Sequence, residues 1–330
     1  MKILVTGSSG HLGEALCRTF QKIQIDYIGI DIKEGAYTTD IGSIADAFFI
    51  NQVVENVDYI VHTATLHKPH VATHSKQDFI DTNITGTLNL LEAAKNNGVK
   101  GFIFTSTTST FGDRMRPSKG EPAVWVTENL IPIPKNIYGV TKVAAEDVCQ
   151  LYYRNHQLPC LILKTSRFFS EKDDNKELRD TYEDLNIKAN EYLHRRVDME
   201  DVVAAHLLAI EKVVELGFQK YIISATSPFA KDHLLDLHTD AHKVVSSIYP
   251  TFENLYKRKG WKMLPQIGRV YVNEKARKEL GWQPKYDFQH ILNCLEKEKD
   301  YRSALTLELG IKGYHTMEFE EGPYPVVEKE

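Results

Sequence analysis

The chain opens MKILVTGSSGHLGEALCRTF: an apolar run, a turn with glycines at 7, 10 and 13, then the helical spacing of Leu12, Leu16 and Phe20. A strand that passes through such a turn straight into a helix needs a neighbouring strand lying parallel to it. The rest of the chain provides them. IDYIGI ends at Asp31, a polar stretch leads through YTTDI into SIADAFFINQVV, VDYIVHTA reads as a strand, NITGTLNLLEAAKNNG as a helix with a glycine stop, and VKGFIFTS as a strand. Strands and helices alternating at this pitch predict an α/β fold, a Rossmann-type doubly wound parallel sheet with helices on both faces.

The turn carries chemistry as well as topology. Gly7 permits the tight bend, Gly10 lets the backbone approach a pyrophosphate, and Gly13 lets helix and strand pack closely, with helix N–H groups facing the anion. Spacing alone is weak, but this turn follows the first strand, and an acid, Asp31, closes the second. A carboxylate there accepts hydrogen bonds from both ribose hydroxyls and repels a 2′-phosphate, which predicts NAD over NADP. Asp40, in TTDI, is assigned to the adenine side, and Ile32 and Ile41 are grouped with these acids as cofactor neighbours.

Composition removes other classes. A formal charge of -5 and a pI near 6.2 argue against a nucleic-acid binder, which needs a concentrated basic surface. No signal-peptide pattern opens the chain and no membrane-length apolar run occurs, so a cytoplasmic protein with a small-molecule partner is expected. Cys17, Cys149, Cys160 and Cys294 show neither CxxC nor zinc spacing and read as buried free thiols.

Past the fifth strand, residues 107–136 hold Pro117, Pro122, Pro132 and Pro134 and read as a long loop, often the functional kind. A helix over 138–156 and the strand LPCLILKTS follow, then EKDDNKELRD, expected to be a solvated charged face. A helix over 199–216, the strand KYIIS, and helices near 231–246, 274–280 and 287–303 lead to a polar, proline-containing tail in the last fifteen residues. The expected division is an NAD-binding domain over 1–165, with 197–226 returning to it, a substrate-binding portion over 166–196 and 227–310, and a tail over 311–330.

A tyrosine four residues before a lysine occurs twice, as YGVTK at 138–142 and YVNEK at 271–275. Ionising a tyrosine near neutral pH means lowering its pKa from about 10 by roughly three pH units, or about 4 kcal/mol. Tyr138 and Lys142 share one face of a helix, so the ammonium can favour the phenolate and reach the nicotinamide ribose. Tyr271 lies in the strand-like RVYV while Lys275 belongs to NEKARKELGW, which starts a helix that Asn273 is placed to cap, so that pair is split. Thr107 stands at the carboxyl end of a parallel strand, where ligands bind in such sheets. Thr107, Tyr138 and Lys142 thus form a hydroxyl, acid/base and cation set able to take the proton of a secondary alcohol while its carbon-bound hydrogen leaves as hydride.

The combination of GSSGHLG, Asp31, VHTA, NITGTLNLLEAA, FTSTTSTFG, YGVTK, RVDMEDVVAAH and NEKARKELGWQP resembles the extended short-chain dehydrogenase/reductases of the NAD-dependent epimerase/dehydratase group, UDP-glucose 4-epimerase-like proteins among them. The resemblance implies a Rossmann domain, a smaller substrate-binding portion and a homodimer that meets through helices around 75–97 and 137–156. It places Thr107, Tyr138 and Lys142 at the catalytic positions, and His11, Leu12, Thr63, Ala64, Thr65 and Asn83 along the cofactor. The second YxxxK falls in the family's structural LGW segment.

Departures from the family pattern bear on the substrate. The Asp-Glu pair that 4,6-dehydratases carry after the catalytic threonine is replaced by Thr108 and Ser109, which argues against dehydration. The turn after the sixth main strand reads KTSRFFSEKDD, where Arg167 has two readings: it grips a substrate carboxylate or phosphate, or it pairs with the acids just after it. The short segment 170–196 suits a smaller substrate and resembles uronate dehydrogenases; Arg195 and Arg196 are candidate anion contacts, one of them structural. Thr108 and His67 are candidate substrate contacts. His67, His70 and His74 lack an accompanying carboxylate or cysteine, so no metal is expected. The leading expectation is an NAD-dependent epimerase acting on a sugar or nucleotide sugar. The alternatives are a dehydrogenase of a small sugar or sugar acid that releases NADH, and a non-catalytic dinucleotide sensor.

Overall fold

The computed structural model describes residues 1–315 and 319. In chain order its elements are β1 (Lys2–Thr6), α1 (His11–Lys22), β2 (Asp26–Asp31), β3 (Asp40–Ile41), α2 (Ala47–Val53), β4 (Tyr59–His62), α3 (Lys76–Ile80), α4 (Gly86–Asn96), β5 (Gly101–Thr107), β6 (Val124–Val126), α5 (Ile137–His156), β7 (Cys160–Thr165), α6 (Lys176–Thr181), α7 (Asp184–Glu191), α8 (Met199–Leu216) and β8 (Phe218–Ile223). After these come α9 (Leu234–Thr239), α10 (Ala241–Ile248), α11 (Phe252–Lys259), β9 (Arg269–Tyr271), α12 (Glu274–Glu279), α13 (Phe288–Glu296) and α14 (Ala304–Leu309).

Seven strands form one parallel sheet in the order β3-β2-β1-β4-β5-β7-β8, and β6 pairs with β9 in a separate two-stranded sheet. The expected doubly wound α/β fold is therefore present. Alternate residues of a strand face opposite layers. Ile3 and Val5 of β1 pack with Leu12, Leu16 and Phe20 of α1 and with Val202, Ala205 and Ala209 of α8. Leu4 of the same strand packs the other way, with Ile50 of α2, Leu90 and Leu91 of α4 and Ala145 of α5. Each fully buried side chain of this kind contributes about 1.5–3 kcal/mol. A further core joins Ile187 and Leu193 to Val245, Phe252, Trp261, Phe288 and Ile291, so the elements after the sheet pack around their own apolar centre.

Several local expectations differ from the structure. The helix anticipated over 287–303 stops at Glu296, where apolar spacing gives way to the charged EKEKD and Glu298 takes a positive φ of 55°. The charged segment after β7 is not a solvated face throughout: Glu171, Asp173 and Asp174 are buried, because each meets a cation or a ring of donors. Cys294 is only half-buried, unlike the other three cysteines, and all four are free. The tail expected from 311 starts as packed structure at 312–315, and its remainder lies, apart from residue 319, outside the described residues. Among the described residues no helix is long and apolar enough to cross a membrane.

Candidate functional site

Strand β1 has β2 on one side and β4 on the other, and the chain order reverses there, opening a crevice at the strands' carboxyl ends. A cleft of about 1260 Å³ occupies it, more than the about 300–1,000 Å³ that holds one small ligand. Gly7 turns at φ +74°, a left-handed backbone that glycine adopts without strain, and a Cβ there would lie 2.9 Å from the Ala64 nitrogen. At Gly13 an added Cβ would stand 1.9 Å from the Gly7 carbonyl oxygen, so only glycine lets α1 approach the turn. Gly10 is the N-cap of α1 and has no side chain to cap it, which leaves the first-turn N–H groups to an anion. Gly7, Gly10, His11, Leu12 and Gly13 all line the cleft.

Asp31 ends β2 and lines the same cleft, its carboxylate accepting from the backbone N–H of Ser9 at 3.1 Å and of Lys33 at 3.0 Å. The two bonds fix the carboxylate on the cleft wall beside the glycine turn. A glycine cradle, an uncapped helix start and an acid on one wall fit a dinucleotide. Ile32, Asp40 and Ile41 do not join them; all three are exposed and outside the cleft wall. Asp40 instead accepts from the Thr39 hydroxyl at 2.8 Å, because β3 is a two-residue edge strand whose side chains face water.

Thr63, Ala64 and Thr65 continue the wall beyond β4. They are fixed by Thr6, whose Oγ1 accepts from the N–H of Thr63 and Ala64. Asn83 is 2% exposed and fully engaged: its amide donates to the Leu66 carbonyl and the Thr141 hydroxyl, and its oxygen accepts from Thr65 Oγ1 and the Leu66 N–H. Its side-chain polar atoms are thus all engaged within the protein, and it does not line the cleft wall to which the sequence assigned it. It sits in the π-turn Asp81–Thr85 between α3 and α4 and ties the 64–66 wall to α5.

Tyr138 and Lys142 lie on α5, which Asn136 starts by accepting from the Gly139 N–H at 3.0 Å. Tyr138 and Thr107, the last residue of β5, line the same stretch of the cleft. The Lys142 ammonium, 2% exposed, donates to the Thr105 carbonyl at 2.8 Å and lies 3.9 Å from the Phe104 ring centre. Burial pushes the Tyr138 phenol up to about 12, only partly opposed by Thr107. Burial likewise pushes the Lys142 ammonium down to about 7, against the pull of Glu146. The expected lowering of the phenol by the lysine is thus absent from the chain alone, because both groups are desolvated and the ammonium faces Thr105. The second tyrosine–lysine pair is split as expected: Tyr271 ends β9 with its hydroxyl on the Met115 sulfur, and Lys275 lies on α12 and bonds Gln219.

Glu146, one turn beyond Lys142, was not singled out in the sequence. It is 1% exposed, accepts from Ser106 Oγ at 2.5 Å, and pairs with Lys164 and with Lys220 at 3.1 Å. Burial alone would raise its carboxyl; the two lysines hold it below the usual range. The i+4 spacing from Lys142 was its only sequence signal.

Towards the other end, Thr108, Arg116, Lys135, Arg167, Arg195 and Arg269 line the cleft. Arg167 pairs with Asp173 at 3.0 Å, Asp174 at 3.6 Å and Glu191 at 3.3 Å, so its cation is held by three acids, two of which follow it closely in sequence. Arg196 lies outside the cleft wall, bonding Glu191 at 2.8 Å and the Phe169 carbonyl at 3.0 Å, which corrects its assignment as a substrate contact. Arg195 also meets Glu191 at 2.8 Å, making that buried carboxylate the hub of three arginines. Arg116 and Arg269, not foreseen as site residues, have no carboxylate in ion-pair range among the described residues. His67 lines the wall and stacks on His70 at 4.6 Å. Among the described residues no group of three or more His, Cys, Asp or Glu is arranged to hold a metal.

Residues 3–223 match the sequence model of the NAD dependent epimerase/dehydratase family. The chain is 30% identical over 195 residues to a dTDP-D-glucose 4,6-dehydratase of Dictyostelium discoideum, an alignment spanning 52% of this chain and 44% of that relative. The chain thus spans about half or less of such a curated relative. It is also 25% identical to the UDP-glucose 4-epimerase of Lactobacillus helveticus, over 87% of this chain and 93% of that one. In fold it is similar to the UDP-glucose 4-epimerase of Thermotoga maritima solved with UDP-glucose, with TM-score 0.62 and 22% identity over 90% of this chain and 99% of that chain.

Proposed function

Because the chain belongs to the NAD-dependent epimerase/dehydratase family, we propose that it uses NAD to oxidise a secondary hydroxyl of a sugar or nucleotide sugar, as an epimerase, with Tyr138 as acid/base. The observation that carries this reading is that Thr107 and Tyr138 line the same cleft as the glycine turn and Asp31. Thr107 holds the substrate hydroxyl while the Tyr138 oxygen accepts its proton, and Lys142, one turn along, supplies positive charge behind the phenol. NAD, when bound on Gly7, Gly10, Gly13 and Asp31, supplies the acceptor for the hydrogen that leaves the carbon as hydride, and a positive charge that favours the phenolate. For epimerisation the hydride returns to the opposite face of the turned ketone as the proton returns from Tyr138, so the cofactor ends as it began.

Arg116 and Arg269, which have no carboxylate partner among the described residues, and Lys135, between acidic and basic neighbours, support a substrate bearing a phosphate or carboxylate. Dehydration is disfavoured because Thr108 and Ser109 offer no carboxyl group, and the Thr108 hydroxyl faces the Thr165 carbonyl. A second reading, net oxidation of a small sugar acid with release of NADH, is favoured by the short 170–196 segment, which holds only α6 and α7. The homodimer implied by resemblance is supported by exposed Ile80 and Leu88 beside exposed Val140 and Leu151 on α5. The test is a panel of nucleotide sugars, sugars and sugar acids with NAD, read by proton NMR for the epimer and by absorbance for NADH, with Tyr138→Phe as control. An epimer without NADH supports the first reading, NADH in proportion to product the second. Turnover that survives in Tyr138→Phe sinks the assignment of the acid/base.

A further inference from the structure

The described end of the chain runs back into the cleft. Glu171, 3% exposed, lies 2.7 Å from His11 Nε2 and accepts from the backbone N–H groups of Lys312 and Gly313 at 3.1 Å and from the Tyr314 hydroxyl at 3.4 Å. Lys312 pairs with Glu14 of α1, and His315 Nε2 lies 2.9 Å from the Pro69 carbonyl oxygen. The Tyr314 ring meets His67 edge-on at 4.8 Å and stands 6.0 Å from His11 and 6.1 Å from Phe169. Residues 312–315 therefore join three segments that follow β1, β4 and β7, the same carboxyl ends that build the site. Lys312, Gly313 and Tyr314 are themselves cleft wall, alongside Gly10 and His11.

These contacts depend on one another. A buried carboxylate needs several donors, and two of the donors to Glu171 are backbone N–H groups that only a docked segment brings. Glu171 in turn holds His11, the first residue of the helix whose start faces the anion site. Docking of the segment and the shape of the glycine-turn end are thus one arrangement.

We propose that residues 312–315 form a latch across the glycine-turn end of the cleft that retains the bound dinucleotide, with Tyr314 and His67 completing the wall over it. The inference rests on the NAD reading above and adds to it a cause for slow cofactor exchange, as a cofactor that stays through an epimerase cycle requires.

The test compares three proteins: the full chain, a chain ending at Ile311, and full-length Lys312→Ala/Tyr314→Ala. Each is first titrated with NADH by fluorescence, then loaded with NADH and chased with excess NAD in a stopped-flow instrument. The latch predicts release at least roughly tenfold faster in both altered proteins, with association rates changed far less. Release within about twofold of the full chain in both would overturn it. So would tighter NADH binding by the shortened chain at unchanged release, which would make the segment a plug. Faster release in the shortened chain alone would assign the effect to residues beyond 315 and overturn the role of these contacts. If the full chain fails to bind NADH at all, the cofactor reading itself fails, a result distinct from binding with unaltered release.

Discussion

Lys142→Met should make the cofactor-free protein more stable at neutral pH while removing its activity. The Lys142 ammonium is 2% exposed and faces one carbonyl and one aromatic ring. Burial carries its pKa from the ordinary 10.5 to about 7. Between those values the unfolded chain binds a proton that the folded chain does not, so stability rises with pH across the window. Below about 7 both states carry the proton and the whole penalty is present. At about 1.36 kcal/mol per pH unit the penalty is on the order of 3–5 kcal/mol. Methionine has similar length and no charge, so the penalty disappears; the Thr105 carbonyl loses its donor, which costs about 1–3 kcal/mol. The net expectation is a stabilisation of about 1–3 kcal/mol, or a rise in Tm of a few degrees. Calorimetry on both proteins without cofactor, from about pH 6 to about pH 10, is the assay. The wild type should gain on the variant as pH rises and overtake it near the top of the range, where only the lost donor to Thr105 remains. Parallel curves, or a variant less stable at neutral pH, would refute the reasoning that this ammonium is buried against its own hydration.

Tyr138→Phe should lower turnover about 10²–10⁴-fold while NADH binding, measured by fluorescence titration, stays close to wild type. Asp31→Asn should narrow the preference for NAD over NADP by about tenfold or more in the ratio of KM values, since the carboxylate that repels a 2′-phosphate is gone; an unchanged ratio would displace Asp31 from the ribose. Arg269→Ala should raise KM for phosphorylated or carboxylated sugars about tenfold and leave neutral sugars unaffected. Glu191→Gln should destabilise by about 3–5 kcal/mol in denaturant titrations, because Arg167, Arg195 and Arg196 lose their shared partner.

The sheet and the glycine turn were legible because they rest on short-range rules: apolar runs, helical spacing and the steric demands met at Gly7 and Gly13. Tyr138 with Lys142 was legible for the same reason, since i, i+4 on one helix fixes a face. What the sequence hid lies in contacts between distant segments. Glu191 is four residues from Arg195 but reaches Arg167 only through the fold. Arg269 enters the cleft because β9 pairs with β6, a pairing of three-residue strands too short to announce itself. Asn83 reads as a cofactor residue from its place in the motif, yet its bonds to Leu66 and Thr141 show it holding two walls together. The acids after β7 read as a solvated run because local charge density says nothing of the cations that meet them. Residues 312–315 gave no local signal at all, since a latch is defined by what it touches.

The central claim is that NAD sits in this cleft and stays there. Denaturing freshly purified protein and quantifying the released NAD and NADH by chromatography tests it most directly. The account predicts close to one equivalent of dinucleotide per chain. Protein that comes out empty and takes up neither NAD nor NADH on incubation would contradict it.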